Sequence, residues 1–142
     1  MAYKSILVAV DSSNESKKAF SRAVTLATEN NATLTITHVV DIPIYSDYKP
    51  YDAEILNLAK QSAEELIVEF KNSALNTGVS KVETLLETGS AKREIIQTII
   101  PKANPDLIVV GATGTNALER VLVGSVSEYI IRHAPCDVLV VR

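Results

Sequence analysis

The sequence predicts an α/β protein, a parallel β-sheet with helices on both faces, and three observations carry that reading. Apolar runs of strand length alternate with longer stretches of helical periodicity, in the order β-α-β-α-β-α-β-α-β. The first run, Ile6-Leu7-Val8-Ala9-Val10, is apolar at every position, as a strand buried on both faces should be. The runs are rich in β-branched residues, and no repeat, low-complexity tract or linker interrupts their succession. At 142 residues the chain suits one domain over 1–142. Folding at that size buries roughly 70% of the surface of the unfolded chain, enough for a core without staples.

The elements follow in order. The first strand is Ile6 to Val10, stopped by Asp11. Ser12-Ser13-Asn14-Glu15 has the pattern of a capping box, with Ser12 as N-cap and Glu15 at the third helical position. Ala19, Phe20, Ala23, Val24 and Ala27 fall on one face of the helix behind it, which Asn30-Asn31 ends. Thr33 to Val40, containing His38, is the second strand, and Asp41 to Asp52 is a loop with Pro and Tyr. A long helical pattern from Ala53 runs through Ala63, Leu66, Phe70 and Ala74 to Gly78, placed where a C′ glycine stops a helix. Val82 to Leu86 is the third strand. Gly89-Ser90 opens the next helix, with Ile95, Ile96, Ile99 and Ile100 on its apolar side. Pro101 is expected to end or kink that helix, because proline has no N–H and clashes one turn back. Leu107 to Val110 is the fourth strand. Ser125-Val126-Ser127-Glu128 is a second capping box, opening a helix that ends near Ala134-Pro135, and Val138 to Val141 is the fifth strand.

Composition removes several classes of function. Lys plus Arg is 14 against 17 Asp plus Glu, a net charge of −3, so no bulk attraction draws the chain to nucleic acid or to an anionic membrane. The single cysteine, Cys136, excludes an internal disulfide framework and suits a reducing cytosol. The apolar stretch at the N-terminus stops at Val10, short of the ~7–15 residues of a signal peptide and the ~20 of a membrane span. A soluble, cytoplasmic protein is expected.

The chain has only five glycines, and three of them fall within fourteen residues. Gly111-Ala112-Thr113-Gly114 follows the fourth strand; nine residues later, Gly124-Ser125 opens a helix. Parallel sheets bind ligands at the carboxyl ends of their strands, where the strand order reverses. Glycines without Cβ let the backbone take positive φ and let a phosphate approach the amides, and a helix N-terminus favours an anion. The segment therefore has the makings of a two-sided phosphate grip. It is neither a Walker A loop, which needs Gly-Lys-Ser/Thr, nor the dinucleotide fingerprint that follows a first strand. The spacing by itself fits a flexible loop with turn glycines and a Ser N-cap equally well.

Gly-x-x-Gly, nine residues, then Gly-Ser resembles the ATP-binding class of universal stress proteins. The likeness extends over nearly the whole chain, through Ile6-Leu7-Val8-Ala9-Val10-Asp11, His38-Val39-Val40, Asp106-Leu107-Ile108-Val109-Val110-Gly111 and Arg132-His133-Ala134-Pro135-Cys136-Asp137-Val138-Leu139-Val140-Val141. The resemblance implies a Rossmann-like, adenine-nucleotide-alpha-hydrolase-like fold, a five-stranded parallel sheet in the order 3-2-1-4-5. It implies ATP at the switch point between strands one and four, with Mg²⁺ or Mn²⁺ held mainly by the phosphates and no metal site of the protein's own. Ala9, Val10 and Asp11 would line the adenosine side, and the backbone of Val39 would meet the adenine edge. Gly111, Thr113 and Gly114 would surround ribose and phosphates, while Gly124, Ser125, Val126 and Ser127 hold the phosphate tail. Many relatives carry a charged residue or histidine where this chain has Ala112-Thr113 and then Thr115, so one positive contact to phosphate is missing; Arg120 is the candidate to replace it. The resemblance also implies a homodimer through the last strand, Val138 to Val141, and a nucleotide-dependent regulator in the cellular stress response. A dimeric interaction module of the same fold that binds no nucleotide is the other reading, and the glycine pattern separates the two.

Single residues carry more than one reading. Asp11 is either a nucleotide or metal-water contact or a polar start to the first helix, and Ser125 serves as cap and as phosphate donor alike. His133 sits in a last helical turn, which favours a cation. Neither His38 nor His133 has further ligands at zinc spacing. Cys136 reads as a small buried hydrophobe rather than a nucleophile. No Ser-His-Asp arrangement, His-x-Gly-His signature, dedicated base or arginine finger is present. A metabolic enzyme on a related fold thus lacks a catalytic constellation, and any ATP hydrolysis is expected to be slow or partner-dependent.

Overall fold

A computed structural model describes residues 2–41, 50–112 and 124–142. Its strands are β1 (Ser5–Ala9), β2 (Thr33–Asp41), β3 (Val82–Gly89), β4 (Leu107–Gly111) and β5 (Asp137–Val141). Helices α1 (Asn14–Asn30) and α2 (Pro50–Thr77) are uniform, α3 covers residues 91–103, and α4 is Ser125–His133. All strand pairs are parallel, as the alternation of elements predicts, and the sheet order is β3-β2-β1-β4-β5, as the family resemblance implies.

The unbroken apolar run of β1 is explained by two cores, one on each face of the sheet. Successive side chains of a strand point to opposite faces. Ile6 and Val8 join Leu34 and Ile36 under α1 and α2, where Ala19, Ala23, Phe20, Ile67 and Phe70 complete one cluster. The Phe20 and Phe70 rings tie the two helices together with centroids 4.7 Å apart at 60°, a tilted geometry that suits their quadrupoles. Leu7 points the other way, into a second cluster with Ile108 and Val110, covered by Ile95, Ile99 and Ile100 of α3 and Ile130 of α4.

Helix ends depart from the sequence reading in three places. The N-cap of α1 is Ser13, not Ser12: its side chain accepts the Ser16 N–H at 3.1 Å. Ser16 is not available as an ordinary surface residue because its hydroxyl is buried against the backbone of Asp11. Gly124, not Ser125, caps α4, and no side chain closes that cap. Pro101 does not end α3. An α-helical turn (Ala91–Glu94) passes into a π-helical stretch (Ile95–Ile99) and back to α (Ile100–Ala103), with the Ile100 N–H reaching the Ile95 carbonyl. The wider turn relieves the crowding that a proline ring imposes on the carbonyl one turn back. At the other ends, Asn31 and Asn104 take left-handed conformations at φ 52° and 47°. Gly78, at φ +117°, closes α2 while the Val79 N–H returns to the Ala74 carbonyl at 3.1 Å. Of the stretch read as a loop from Asp41 to Asp52, Asp41 belongs to β2, α2 already begins at Pro50, and 42–49 lie outside the described residues.

The cap assignment is testable. Ser13→Ala is expected to lower unfolding stability in urea by about 1 kcal/mol, whereas Ser12→Ala should stay within a few tenths of a kcal/mol. Equal losses in the two variants would contradict it.

Candidate functional site

β1 has β2 on one side and β4 on the other, so the strand order reverses at β1. A cleft of about 170 Å³ opens at the carboxyl ends of these strands. That is below the ~300–1,000 Å³ of pockets that enclose a drug-sized ligand.

Three strand ends form its floor: Ala9 of β1 with Val10 and Asp11 after it, Thr37 to Val39 on β2, and Val110 and Gly111 of β4 with Ala112 after it. Ala91 and Ile95 of α3 supply an apolar wall, Ser13, Glu15 and Ser16 come from the start of α1, and Val126 and Ser127 from the first turn of α4. The cleft is thus the open mouth of the second core, since Ala9, Val39, Ala91, Ile95, Val110 and Val126 all belong to that cluster.

Polar side chains fix the strand ends. The Ser16 hydroxyl accepts the Asp11 N–H at 2.7 Å and donates to the Asp11 carbonyl at 3.0 Å. Asp11 in turn accepts the Ser13 N–H on Oδ1 at 2.7 Å, so one carboxylate oxygen starts the helix while the residue lines the cleft. Ser127, buried at 4% exposure, donates its hydroxyl to the Gly111 carbonyl at 2.8 Å and joins the beginning of α4 to the end of β4. The imidazole of His38 lies 2.7 Å from the Val10 carbonyl through Nδ1. A carbonyl only accepts, so Nδ1 carries the proton and donates.

Gly111 has a different reason for being glycine from the one its spacing suggests. Among the described glycines only Gly78 and Gly89 take positive φ. A Cβ on Gly111 would instead stand 2.7 Å from the Glu15 carbonyl oxygen and 2.8 Å from its carbon. The missing side chain lets the first turns of α1 rest on the end of β4.

Of the residues singled out in the sequence, Ala9, Val10, Asp11, Val39, Gly111, Val126 and Ser127 converge on the cleft. Gly124 and Ser125 stand at the N-terminus of α4, next to the wall rather than in it. Thr113, Gly114 and Arg120 lie outside the described residues. Sequence reading passed over Ser13, Glu15, Ser16, Thr37, Ala91 and Ile95, and gave His38 no site role. An ionisable ring among the threonines and aliphatic residues of its strand was the available signal for His38. For Ala91 and Ile95 it was their one-turn spacing at the start of a helix.

The remaining titratable candidates have structural places. His133 donates Nδ1–H to the Tyr129 carbonyl at 2.9 Å and stacks on that ring at 4.1 Å. Burial pushes the Cys136 thiol up, and the carboxylates of Asp137 and Asp106 push it further, away from thiolate chemistry. Among the described residues no three His, Cys, Asp or Glu gather as a metal site. No helix among them is long and apolar enough to cross a membrane.

Comparison with known proteins then decides the family. The sequence matches the universal stress protein family over residues 2–142. This chain belongs to that family. A universal stress protein of Staphylococcus aureus (strain USA300) is 53% identical over the whole chain and 86% of its own length. The solved universal stress protein UspA from Lactobacillus plantarum is 36% identical with a TM-score of 0.87, covering 100% of this chain and 99% of the other. A universal stress protein solved in complex with cAMP is 26% identical with a TM-score of 0.76, again over 100% and 99%. The sheet order of this family member is therefore that of a known fold.

The packing role of Gly111 makes a stability test. Gly111→Ala is expected to cost about 1–3 kcal/mol in chemical denaturation, the usual range for overpacking, without any ligand present. A variant as stable as the parent would show that the glycine is not required by α1.

Proposed function

We propose that this universal stress protein binds an adenine nucleotide, ATP with Mg²⁺ or Mn²⁺, in the cleft between β1 and β4 and acts as a nucleotide-dependent regulator in the stress response. The observation that carries this reading is the open backbone edge of Val39. β2 continues to Asp41, whereas its ladder with β1 ends at Ala9–Thr37. Odd-numbered residues of β2 address β1, as in the Thr33 N–H bond to Lys4 and the Val10 N–H bond to Thr37. The N–H and C=O of Val39 therefore point past the end of β1 into the cleft, a donor and an acceptor on one edge. A universal stress protein solved in complex with cAMP supports an adenine nucleotide as the class of ligand.

In this reading Ala9, Val10 and Asp11 flank the adenosine, and Gly111, Thr113 and Gly114 enclose ribose and phosphates. Gly124, Ser125, Val126 and Ser127 present the first-turn amides of α4 to the phosphate tail. Those N–H groups have no partner within the helix, and the dipole favours an anion there. The described lining includes the carboxylates of Asp11 and Glu15 but no Lys or Arg. A divalent cation on the phosphates would neutralise that repulsion, for which the described lining offers no Lys or Arg. No residue is assigned a catalytic role, so the nucleotide is read as a regulatory ligand.

β5 is an edge of the sheet, hydrogen-bonded to β4. Its partly exposed Val138 to Val141 row is a template for another strand. We assign it to pairing with the same strand of a second copy.

Two measurements test these readings. Isothermal titration calorimetry with Mg-ATP is expected to show saturable binding. Protein purified without added nucleotide should carry an adenine nucleotide, identified by mass spectrometry of the released ligand. Nucleotide-free protein that gives no heat would overturn the proposal in favour of an interaction module. For the dimer, light scattering is expected to give the mass of two chains, and a monomer mass at working concentration would refute the β5 pairing.

A further inference from the structure

Three features lie outside the assigned roles: the groove between α1 and α2, the exposed Ile55 and Leu58 on α2, and the ring of His38. The ring of His38 is the one with a defined chemical consequence, which deepens the nucleotide reading and rests on it.

In a parallel ladder each carbonyl on one strand takes the N–H of a fixed partner on the next. Between β1 and β2 the pattern runs from the Thr33 N–H on the Lys4 carbonyl to the Val10 N–H on the Thr37 carbonyl. The next rung would place the Val39 N–H on the Val10 carbonyl. That rung is not made: the paired register stops at Ala9–Thr37, and the Val10 carbonyl accepts the Nδ1–H of His38 at 2.7 Å instead. His38 itself addresses β3 with its backbone, in register with Leu86, so only its side chain turns back to β1.

We propose that His38 is a positioning residue that ends the β1–β2 ladder, its imidazole replacing the Val39 amide on the Val10 carbonyl and releasing that amide for the ligand. Without the ring, Val10 would carry an unpaired, largely buried carbonyl. Such a group costs free energy until it finds a donor, and the nearest donor in ladder order is the Val39 N–H. Released, that N–H and the carbonyl of the same residue form a donor–acceptor pair. Adenine complements such a pair with a ring nitrogen acceptor beside its N6 amino donor, whereas guanine puts the O6 acceptor in the amino position. His38 thereby sets base selectivity without touching the base.

The test uses ¹⁵N-labelled, ligand-free protein and three forms of residue 38. In the parent, imidazole nitrogen shifts should show the Nδ1–H form, and the Val39 amide should exchange with solvent as an unprotected group. His38→Asn keeps an N–H donor at the same distance from the backbone and should behave as the parent. His38→Phe removes the donor; Val39 should gain protection, AMP affinity should fall about tenfold, the worth of one hydrogen bond, and AMP should lose its preference over GMP. A Val39 amide already protected in the parent, or unchanged in His38→Phe, overturns the proposal. Should His38→Phe fail to fold, the parent and His38→Asn exchange data decide by the same criterion. Absence of AMP binding to the parent would count against the nucleotide reading alone, because the exchange measurements need no ligand.

Discussion

The central strand of the sheet stops before its neighbours do, and most of the site follows from that. β1 pairs with β2 as far as Ala9, while β2 runs on to Asp41 and β4 to Gly111. Backbone N–H and C=O groups left over at such a step must be satisfied by side chains, water or a ligand. Here side chains take most of them: His38 on Val10, Ser16 on both groups of Asp11, and Ser127 on Gly111. The edge of Val39 is left facing the cleft. A gap in a parallel ladder thus leaves a backbone edge with a donor and an acceptor on it.

The walls are placed at the same strand ends. α1 rests on β4 because Gly111 has no Cβ to hold the Glu15 carbonyl away. α4 is joined to the end of β4 through Ser127, and α3 brings Ala91 and Ile95 over the second core. Three helices are therefore positioned by contacts at strand ends, where the cleft lies. Charge adds a further condition, since Asp11 and Glu15 make the described lining acidic at the place where a phosphate tail is proposed to start. That arrangement suits a nucleotide carried with a metal ion better than a bare polyphosphate.

The fold was legible because its signals are local or periodic. All-apolar β1, the one-face spacing of α1 and the stop at Gly78 each report on their own neighbourhood, and together they require a two-faced sheet. What stayed hidden depends on contacts distant in sequence. The Ser12–Glu15 spacing favours Ser12 as the cap; in the fold Ser13 accepts the Ser16 N–H, while the Ser16 hydroxyl turns inward to Asp11. The glycine at position 111 is visible in the sequence, but its neighbour Glu15 is 96 positions away in the chain (111 − 15). His38 could be seen as an odd polar residue in β2, yet its partner carbonyl is set by the register with β1. Pro101 does not end α3, because the π-helical stretch ahead of it, which no local signal announces, accommodates its ring. Most of the site residues taken from the family likeness do meet at one cleft, because that likeness encodes the strand ends themselves.

The central claim is that the ligand edge is the unpaired backbone at the end of β1 and β2. An amide chemical-shift titration of labelled protein with AMP tests it most directly. The account predicts that the largest shifts fall on Val10, Asp11, Val39, Gly111, Val126 and Ser127, with Val39 among the strongest. Shifts confined to the groove between α1 and α2, around Lys17, Phe20 and Phe70, or none on Val39, would contradict it.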